Sequence, residues 1–277
     1  MRLKIIAVLY ALGILISVGY VKAKNIDSAT TNTTTENSSE TTESNQAEQK
    51  DTSESESTSD STQENKDQNE TETQTEIQAQ NGKIVINSVP LIQQMPELPR
   101  GCEVTSLAML LKSAGVSVDK MTLASEINTI PFRDENGMNG NPNVGFVGDI
   151  YSFDNPGYGV YHGPIADLAE SYLPGRIIDL TGQSIDSVYN MIKQGSPVWV
   201  ITNSRFASLP ESEFSVWNTA TGSVQITYRE HSVLVVGYDD NYVYLNDPLA
   251  DQAYKAVSRD SFEESWVQMG SQAISYQ

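Results

Sequence analysis

The sequence contains few groups that hold a metal ion, form a cross-link or bind a polyanion. Its 277 residues include one cysteine, two histidines and 17 basic side chains against 36 acidic ones, which gives a formal charge of −19. A chain of this charge repels a phosphate backbone, and no segment carries a basic stripe, so we expect no nucleic-acid partner. One cysteine cannot close an intramolecular disulfide or build a cysteine-based zinc site, and the histidines show no ligand spacing typical of metal sites. We therefore expect no metal site and no cofactor.

Residues 1–23 have the composition of an export signal. A basic tip with Arg2 and Lys4 precedes an apolar run of about 16 residues, and residues 21–23 resemble a small-x-small cleavage site. The run is short for a membrane span, which needs ~20 residues. We favour cleavage after Ala23 over an uncleaved N-terminal anchor, which would attach the protein to the cell envelope. In both cases the remainder is predicted to be secreted or to lie on the extracellular face of the cytoplasmic membrane.

Residues 24–82 form a polar and acidic segment. They consist mostly of Ser, Thr, Glu, Gln, Asn and Asp, contain no aromatic residue, and carry 14 acidic side chains against three lysines. Such a segment cannot bury enough apolar surface to offset the entropy that its chain would lose on folding. We predict a disordered linker that spaces the rest of the protein from its N-terminus.

Residues 83–277 carry the predicted folded domain. This region holds all three tryptophans and has 22 acidic against 11 basic side chains, so the domain itself is acidic. Its length of about 195 residues suits one domain with a single core. We expect the domain to be a monomer.

Hydrophobic periodicity predicts helices early in this domain and strands in its last third. Helices show apolar residues three and four positions apart, whereas strands show alternation and are bounded by turn residues. The predicted helices lie at 102–114, 165–172 and 184–194. The predicted strands lie at 198–202, 215–218, 223–228, 231–238 and 242–246, and the last four form two hairpins. A helix followed by a meandering antiparallel sheet predicts an α+β fold.

The second predicted hairpin brings a histidine close to an acidic residue. With its turn centred near Asp240, His231 lies opposite position 249, so Asp247 at the end of the partner strand is a close neighbour. A carboxylate or amide beside an imidazole orients the ring and fixes its tautomer, and the ring can then take the proton of a thiol. We favour Asp247 for this role, with the adjacent Asn246 as the alternative.

Cys102 is the candidate nucleophile for such a site. It begins the first predicted helix, where partial positive charge and unpaired amides stabilise a thiolate, although Glu103 beside it has the opposite effect. An exported protein with one cysteine gains no cross-link from its thiol, which favours a chemical use. The second histidine, His162, lies in a segment rich in glycine, tyrosine and proline, and we expect it in a loop at the cleft rim or in solvent rather than as the base.

Several short motifs follow one another along the predicted domain. The first is QMPELPRGCE at residues 94–103, followed by SLAML at 106–110. Later motifs are GFVG at 145–148, GVY at 159–161, GSPV at 195–198, HSVLVVGY at 231–238, NDP at 246–248, and Phe262 with Trp266. In this order they resemble the motifs of the C39-like cysteine peptidases, which are bacterial relatives of the double-glycine leader peptidases within the papain-like superfamily. The similarity extends over roughly residues 89–273.

The resemblance implies a papain-like cysteine peptidase fold, in which an N-terminal helix carries the nucleophile and packs on an antiparallel sheet. It implies Cys102 as the nucleophile, His231 as general base and acid, and Asp247 as the residue that orients His231. It also implies Gln94 as a side-chain donor of the oxyanion hole, together with the backbone amide of Cys102. The adjacent Gln93 remains an alternative for this donor.

The favoured function is that of an exported thiol hydrolase that cleaves peptide amide bonds through an acyl-enzyme. Its partner is then a peptide or protein substrate, and the acidic domain favours neutral or cationic peptides over polyanionic wall polymers. Two other functions share these motifs. One is a peptidoglycan amidase or endopeptidase of the cell wall, and the other is a catalytically silent peptide-binding module.

Overall fold

A computed structural model of the chain describes residues 77–80 and 82–277. The predicted export signal at 1–23 and most of the predicted linker at 24–82 lie outside the described residues, so both remain predictions. The predicted domain at 83–277 lies inside them. The described residues form α-helices and a mainly antiparallel set of strands, which agrees with the predicted α+β class.

Five α-helices and twelve strands make up the part of the chain that the structure describes. The helices are α1 (Cys102–Ser113), α2 (Lys120–Glu126), α3 (His162–Tyr172), α4 (Ile185–Lys193) and α5 (Arg259–Gln268). The strands are β1 (Ile77–Gln80), β2 (Lys83–Ile86), β3 (Thr129–Ile130), β4 (Phe146–Val147), β5 (Ile177–Asp179), β6 (Val198–Asn203), β7 (Ser215–Thr219), β8 (Gly222–Ile226), β9 (Glu230–Tyr238), β10 (Tyr242–Asn246), β11 (Lys255–Ser258) and β12 (Ala273–Tyr276).

The main sheet has eight strands and is centred on β9. Along one edge of β9, its first part pairs with β6 and its end pairs with β2. Its other edge pairs with β10, which in turn pairs with β11. Strand β1 extends the sheet beyond β2, while β12 and β5 extend it beyond β6. All pairs in this sheet are antiparallel. Because β9 is buried at eight of its nine positions, a residue at its start is held by pairing and packing together.

Helix α1 forms and ends where its sequence predicts. Its apolar residues face the core, and Gly115, at a positive φ of 84°, follows its C-terminus. The helix packs against β9 and β6. Two hydrogen bonds fix its first turns on the sheet: Trp199 Nε1 donates to the Glu103 carbonyl at 2.9 Å, and Ser106 Oγ donates to the Ser232 carbonyl at 3.1 Å. The N-terminus of α1 therefore lies beside the start of β9.

The two predicted hairpins are present, with β7 paired to β8 and β9 paired to β10. The register of the second hairpin shifts by one residue between Tyr244 and Leu245, so that Leu234 lies opposite Asn246. A bulge of this kind re-aims the residues that follow it. Asp247, directly after β10, is thereby placed close to the start of β9.

Ordered pairing begins before the predicted start of the domain at Lys83. Strand β1 lies inside the segment assigned to the linker, and its residues pair with β2 in the register Ile77 to Ile86. A strand added at the edge of a sheet is held by backbone hydrogen bonds, which a polar sequence forms as well as an apolar one. Strand β1 is therefore part of the main sheet, although it lies within the predicted linker.

Two groups of buried side chains form the interior of the described region. The larger group lies between the main sheet and the helices and includes Trp199 and Trp266. The smaller group is mostly aromatic, contacts the β7–β8 hairpin, and includes Tyr158, Tyr161 and Trp217. No helix among the described residues is long and apolar enough to cross a membrane.

Candidate active site

A cavity of about 340 Å³ opens where the N-terminus of α1 meets the start of β9. Cys102, His231, Gln94 and Glu230 line it. Exposed apolar side chains also line it, namely Phe153, Tyr228 and Leu249. The cavity thus combines buried polar groups with an apolar rim, as small-molecule and peptide sites commonly do.

Cys102 is the first residue of α1, and a tight backbone approach precedes it. A Cβ at Gly101 would come within 2.5 Å of Leu98 Cβ, so only glycine fits there. No side chain caps the helix. The Cys102 amide at this uncapped end can therefore stabilise negative charge that develops at the cavity floor.

His231 and Asp247 are in direct contact and are both buried. His231 Nε2 lies 2.8 Å from Asp247 Oδ1, which also accepts a hydrogen bond from the Leu249 amide. Lys255 Nζ donates to the other carboxylate oxygen at 2.8 Å. Both oxygens of Asp247 are therefore held, and the imidazole ring is held with them.

The charge of Asp247 fixes the tautomer of His231. Burial alone would raise the pKa of Asp247, but hydrogen bonds from His231 and Lys255 and the charge of His231 outweigh burial and hold this pKa well below its usual range. An ionised carboxylate only accepts hydrogen bonds, so the proton between the two side chains resides on His231 Nε2. The other ring nitrogen, Nδ1, is then the one able to accept a proton.

The two candidate glutamines, Gln94 and Gln93, lie in different surroundings. Gln94 is 2% exposed and lines the cavity, where its amide donates to the carbonyls of Leu98 and Pro99 and its Oε1 has no partner. Gln93 instead donates to Ala250 and Asp251, outside the set of cavity-lining residues.

Asn246, which sequence reasoning left as the alternative to Asp247, is turned away from His231. It is buried, and its amide bonds the backbone of residues 89 and 90 while its oxygen accepts from the Tyr254 amide. Asp247, not Asn246, therefore contacts the imidazole.

The thiol of Cys102 faces two acidic side chains. Its Sγ donates to Glu103 Oε2 at 3.3 Å, and ligand atoms of Cys102, Glu103 and Glu230 all lie within 4.8 Å of one another. Burial raises the pKa of the Cys102 thiol, and the negative charges of Glu103 and Glu230 raise it further. The resting group is therefore a thiol rather than a thiolate.

Glu103 and Glu230 form an acidic pair that sequence reasoning did not find; Glu103 is fully buried, and Glu230 is partly buried with its Oε1 inaccessible to solvent. Burial raises the pKa of Glu103 from 4.5 to about 7, and burial together with the charge of Glu103 raises that of Glu230. Glu103 Oε1 accepts from the Val160 amide at 2.8 Å. A Cβ at Gly159 would lie 2.3 Å from Glu103 Oε1 and 3.1 Å from Glu230 Oε2, so glycine leaves the space that the pair occupies.

The same three side chains are the one group of potential metal ligands found among the described residues. The Cys102 sulfur, once deprotonated, and two carboxylate oxygens at this spacing could hold a divalent cation. A chelator therefore distinguishes a metal site from the metal-free thiol site that the sequence predicts.

The acidic pair makes stability depend on pH in a defined direction. A carboxyl group whose pKa is raised on folding keeps its proton at pH values where the unfolded chain has released it, so the free energy of unfolding falls as pH rises from about 4.5 to about 7. We expect Glu230→Gln to be more stable than wild type by about 1–3 kcal/mol at pH 8, and the difference to shrink toward pH 5. Urea unfolding at both pH values measures it. Glu135→Gln, at an exposed site, is the control, and an equal difference at both pH values would contradict the account.

A second histidine–carboxylate pair lies away from this cavity. His162 Nδ1 lies 2.8 Å from Asp179 Oδ2, and His162 lines a separate cavity of about 290 Å³. The loop predicted for His162 is wrong, because His162 is the first residue of α3. The glycine and proline that suggested a loop follow it in the first helical turn, where proline is tolerated. This pair gives an internal control for the pair at Asp247.

Comparison with known proteins gives concordant matches. The model of the Peptidase C39-like family matches residues 86–274. The uncharacterized protein YvpB of Bacillus subtilis strain 168 is 51% identical over 188 residues, which are 67% of this chain and 73% of YvpB. A solved structure of a candidate C39-like peptidase from Bacillus anthracis is 56% identical, has a TM-score of 0.70, and is matched over 70% of this chain and 97% of its own.

Proposed function

Because the chain belongs to the C39-like peptidase family, we propose that it is a cysteine peptidase that hydrolyses peptide bonds through an acyl-enzyme on Cys102. The observation that carries this proposal is the shared cavity of Cys102 and His231, with His231 held by the buried Asp247. A nucleophile, a base and a group that orients the base are the parts that acyl transfer requires. We also assign the protein a papain-like arrangement, in which α1 presents the nucleophile and the sheet presents the base.

Acylation begins with transfer of the thiol proton. The Cys102 thiol turns from Glu103 toward His231 Nδ1, which takes its proton, and the sulfur attacks the carbonyl carbon of the substrate. The carbon–nitrogen bond then breaks as His231 returns this proton to the leaving amine. Asp247 keeps the ring oriented and stabilises its positive charge during both steps.

Deacylation uses the same groups with water. His231 Nδ1 takes a proton from the attacking water, the carbon–sulfur bond of the thioester breaks, and the proton passes to the sulfur. The products are a carboxylic acid and the free thiol, so the enzyme returns to its resting state without a cofactor or an external oxidant.

The oxyanion of the tetrahedral intermediate needs hydrogen-bond donors. The Cys102 backbone amide, in the uncapped first turn of α1, supplies one. Gln94 is assigned as the second donor, and its amide must turn from the carbonyls of Leu98 and Pro99 when substrate arrives. One well-placed donor contributes ~3 kcal/mol to transition-state stabilisation.

We further propose that the peptidase acts outside the cytoplasmic membrane on peptide or protein substrates, as a monomer. The basic and apolar residues at 1–23 and the acidic segment at 24–82 support export and spacing from the N-terminus. The exposed apolar rim of the cavity and the acidic balance of the domain favour a peptide over an anionic glycan.

Incubation with defined peptides and with purified peptidoglycan tests this proposal. We expect the protein to release new termini from peptides, measured by mass spectrometry, at a rate that a metal chelator leaves within about twofold. The chelator acts as the control for the group formed by Cys102, Glu103 and Glu230. Cleavage of peptidoglycan alone would select the wall hydrolase instead, and a loss of activity with the chelator would make the site a metal centre.

A further inference from the structure

Among the described residues, two of the four buried polar side-chain atoms without a hydrogen-bond partner belong to residues that line the cavity. The four atoms are Gln94 Oε1, Thr105 Oγ1, Glu230 Oε1 and Ser232 Oγ. Each belongs to Gln94, to the first turns of α1, or to a residue adjacent to His231. A folded protein leaves few buried polar atoms unpaired, and unpaired atoms at a cavity indicate a partner that arrives from outside.

The two orphan atoms that belong to cavity-lining residues are both acceptors. Gln94 and Glu230 line the cavity, and their unpaired atoms are a carboxamide oxygen and a carboxylate oxygen. Gln94 is itself 2% exposed. The cavity floor is therefore rich in acceptors, and its natural complement is a group with several N–H donors and a positive charge.

No cationic side chain among the described residues forms an ion pair with Glu230. The ion pairs of this region involve neither Glu103 nor Glu230. Apart from the general base His231, the basic side chain that lines the cavity is Arg100, which donates to the carbonyls of Asp149 and Ser152 and stacks on Phe153 at 4.8 Å. Glu230 Oε1 is inaccessible to solvent although the residue is partly exposed, and a carboxylate oxygen held in this way without a counter-charge is costly, so a cationic ligand would offset that cost.

The spacing indicates which cation fits. A carboxylate oxygen of Glu230 lies within 4.8 Å of the Cys102 sulfur that attacks the substrate. In a peptide, the α-nitrogen is only ~2.5 Å from the carbonyl carbon of the same residue, and an ammonium–carboxylate hydrogen bond spans ~2.8 Å. A free α-ammonium therefore reaches Glu230 while its own carbonyl carbon meets the sulfur. The ammonium of a lysine side chain extends more than twice as far from that carbon.

We propose that Glu230 binds the free α-ammonium group of the substrate's first residue, so that the enzyme removes residues from peptide N-termini. The inference rests on the proposed cysteine peptidase activity and names its substrate class. Glu103 does not line the cavity, but its carboxylate lies within 4.8 Å of that of Glu230. Gln94 Oε1 is a second unpaired acceptor on a cavity-lining residue. Burial is the main cause of the raised pKa of the Cys102 thiol, and a bound ammonium would offset only the smaller contribution from the charges of Glu103 and Glu230.

Matched substrates with and without the charge test this inference. Alanine coumarinylamide and its N-acetyl derivative differ only in the free amine. We expect wild type to prefer the free amine by about 10–100-fold in kcat/KM, and Glu230→Gln to lose this preference while Glu135→Gln keeps it. Rates of the two substrates within about threefold of each other in wild type, or a preference retained by Glu230→Gln, would overturn the assignment.

A second pair of substrates separates the α-amine from a side-chain cation. N-acetyl-lysine and N-acetyl-norleucine coumarinylamides share a blocked α-amine and differ in the side-chain charge. Equal rates on these two support the assignment. A preference for lysine that Glu230→Gln removes would show that the carboxylate binds a side chain instead, and would overturn it.

Alkylation by chloromethyl ketones separates this inference from the proposed function. Alanine chloromethyl ketone and its N-acetyl form alkylate a reactive thiol with loss of chloride, and intact-mass spectrometry counts the adducts. We expect faster labelling of Cys102 by the free-amine form. Equal labelling by both would leave the nucleophile in place and overturn the amine site, whereas no labelling and no turnover with any substrate would remove the proposed peptidase and the inference with it.

Discussion

Replacing Cys102 with alanine is expected to lower kcat/KM for peptide hydrolysis by at least about 10⁴-fold. No other described residue supplies a thiol, because Cys102 is the only cysteine of the chain. The loss of a nucleophile removes the covalent pathway, and only the weak contribution of binding and the oxyanion hole remains. The side chain is small and buried, so alanine leaves a minor cavity and the fold is retained.

Two further variants control this experiment. Ser113→Ala changes the other end of α1, where Ser113 Oγ donates to the Leu110 carbonyl, and should keep activity within about twofold. Circular dichroism and urea unfolding show whether each variant is folded. Full turnover by folded Cys102→Ala would end the cysteine peptidase account.

The second large effect is expected at the pair of His231 and Asp247. His231→Gln removes the base and should lower kcat by about 10⁴-fold or more, and Asp247→Asn should lower it by about 10²–10⁴-fold. The asparagine can direct its NH₂ group at the ring and favour the wrong tautomer. It also leaves Lys255 without its carboxylate partner. Steady-state kinetics at saturating substrate measures both losses.

The matched control is the second histidine–carboxylate pair, which has the same contact distance. His162 lies 2.8 Å from Asp179, as His231 does from Asp247, but lines a different cavity. His162→Gln and Asp179→Asn are expected to leave kcat within about twofold. A large loss in these variants, or none at His231, would mean that the base has been assigned to the wrong histidine.

The elements that carry the proposed chemistry were predictable from local signals. Helix α1 has helical spacing and a glycine stop, and the β9–β10 hairpin has two short, nearly continuous apolar runs around a turn of Asp and Asn. Pairing of that hairpin places residues 231 and 247 near each other. The family match at residues 86–274 agrees with the resemblance found in the motifs.

Several elements escaped prediction because their signals are weak or not local. Helix α5 has its buried apolar side chains mainly at Phe262 and Trp266, too few to define a helical stripe. Strands β5 and β12 have three and four residues, and they form because pairing partners from distant parts of the chain complete them.

The acidic pair of Glu103 and Glu230 was the main omission at the site. Glu103 looks like a first-turn acid of a helix, and Glu230 looks like a solvated residue at the start of a strand. Their approach depends on how α1 packs on β9 and on the space left at Gly159. Gly159 in the GVY motif is the one sequence signal of the close approach of Glu103 and Glu230. This signal can be interpreted only after the structure shows which side chains lie beside the glycine.

Direct detection of the acyl-enzyme tests the central claim most closely. An activated ester of a small amino acid is mixed with the full chain, quenched in acid within seconds, and analysed by intact-mass and peptide mass spectrometry. The account predicts one acyl group per chain, carried on Cys102, removed by neutral hydroxylamine as a thioester, and absent from Cys102→Ala. Turnover of the ester without an adduct on Cys102, or an acyl group on another residue, would contradict it.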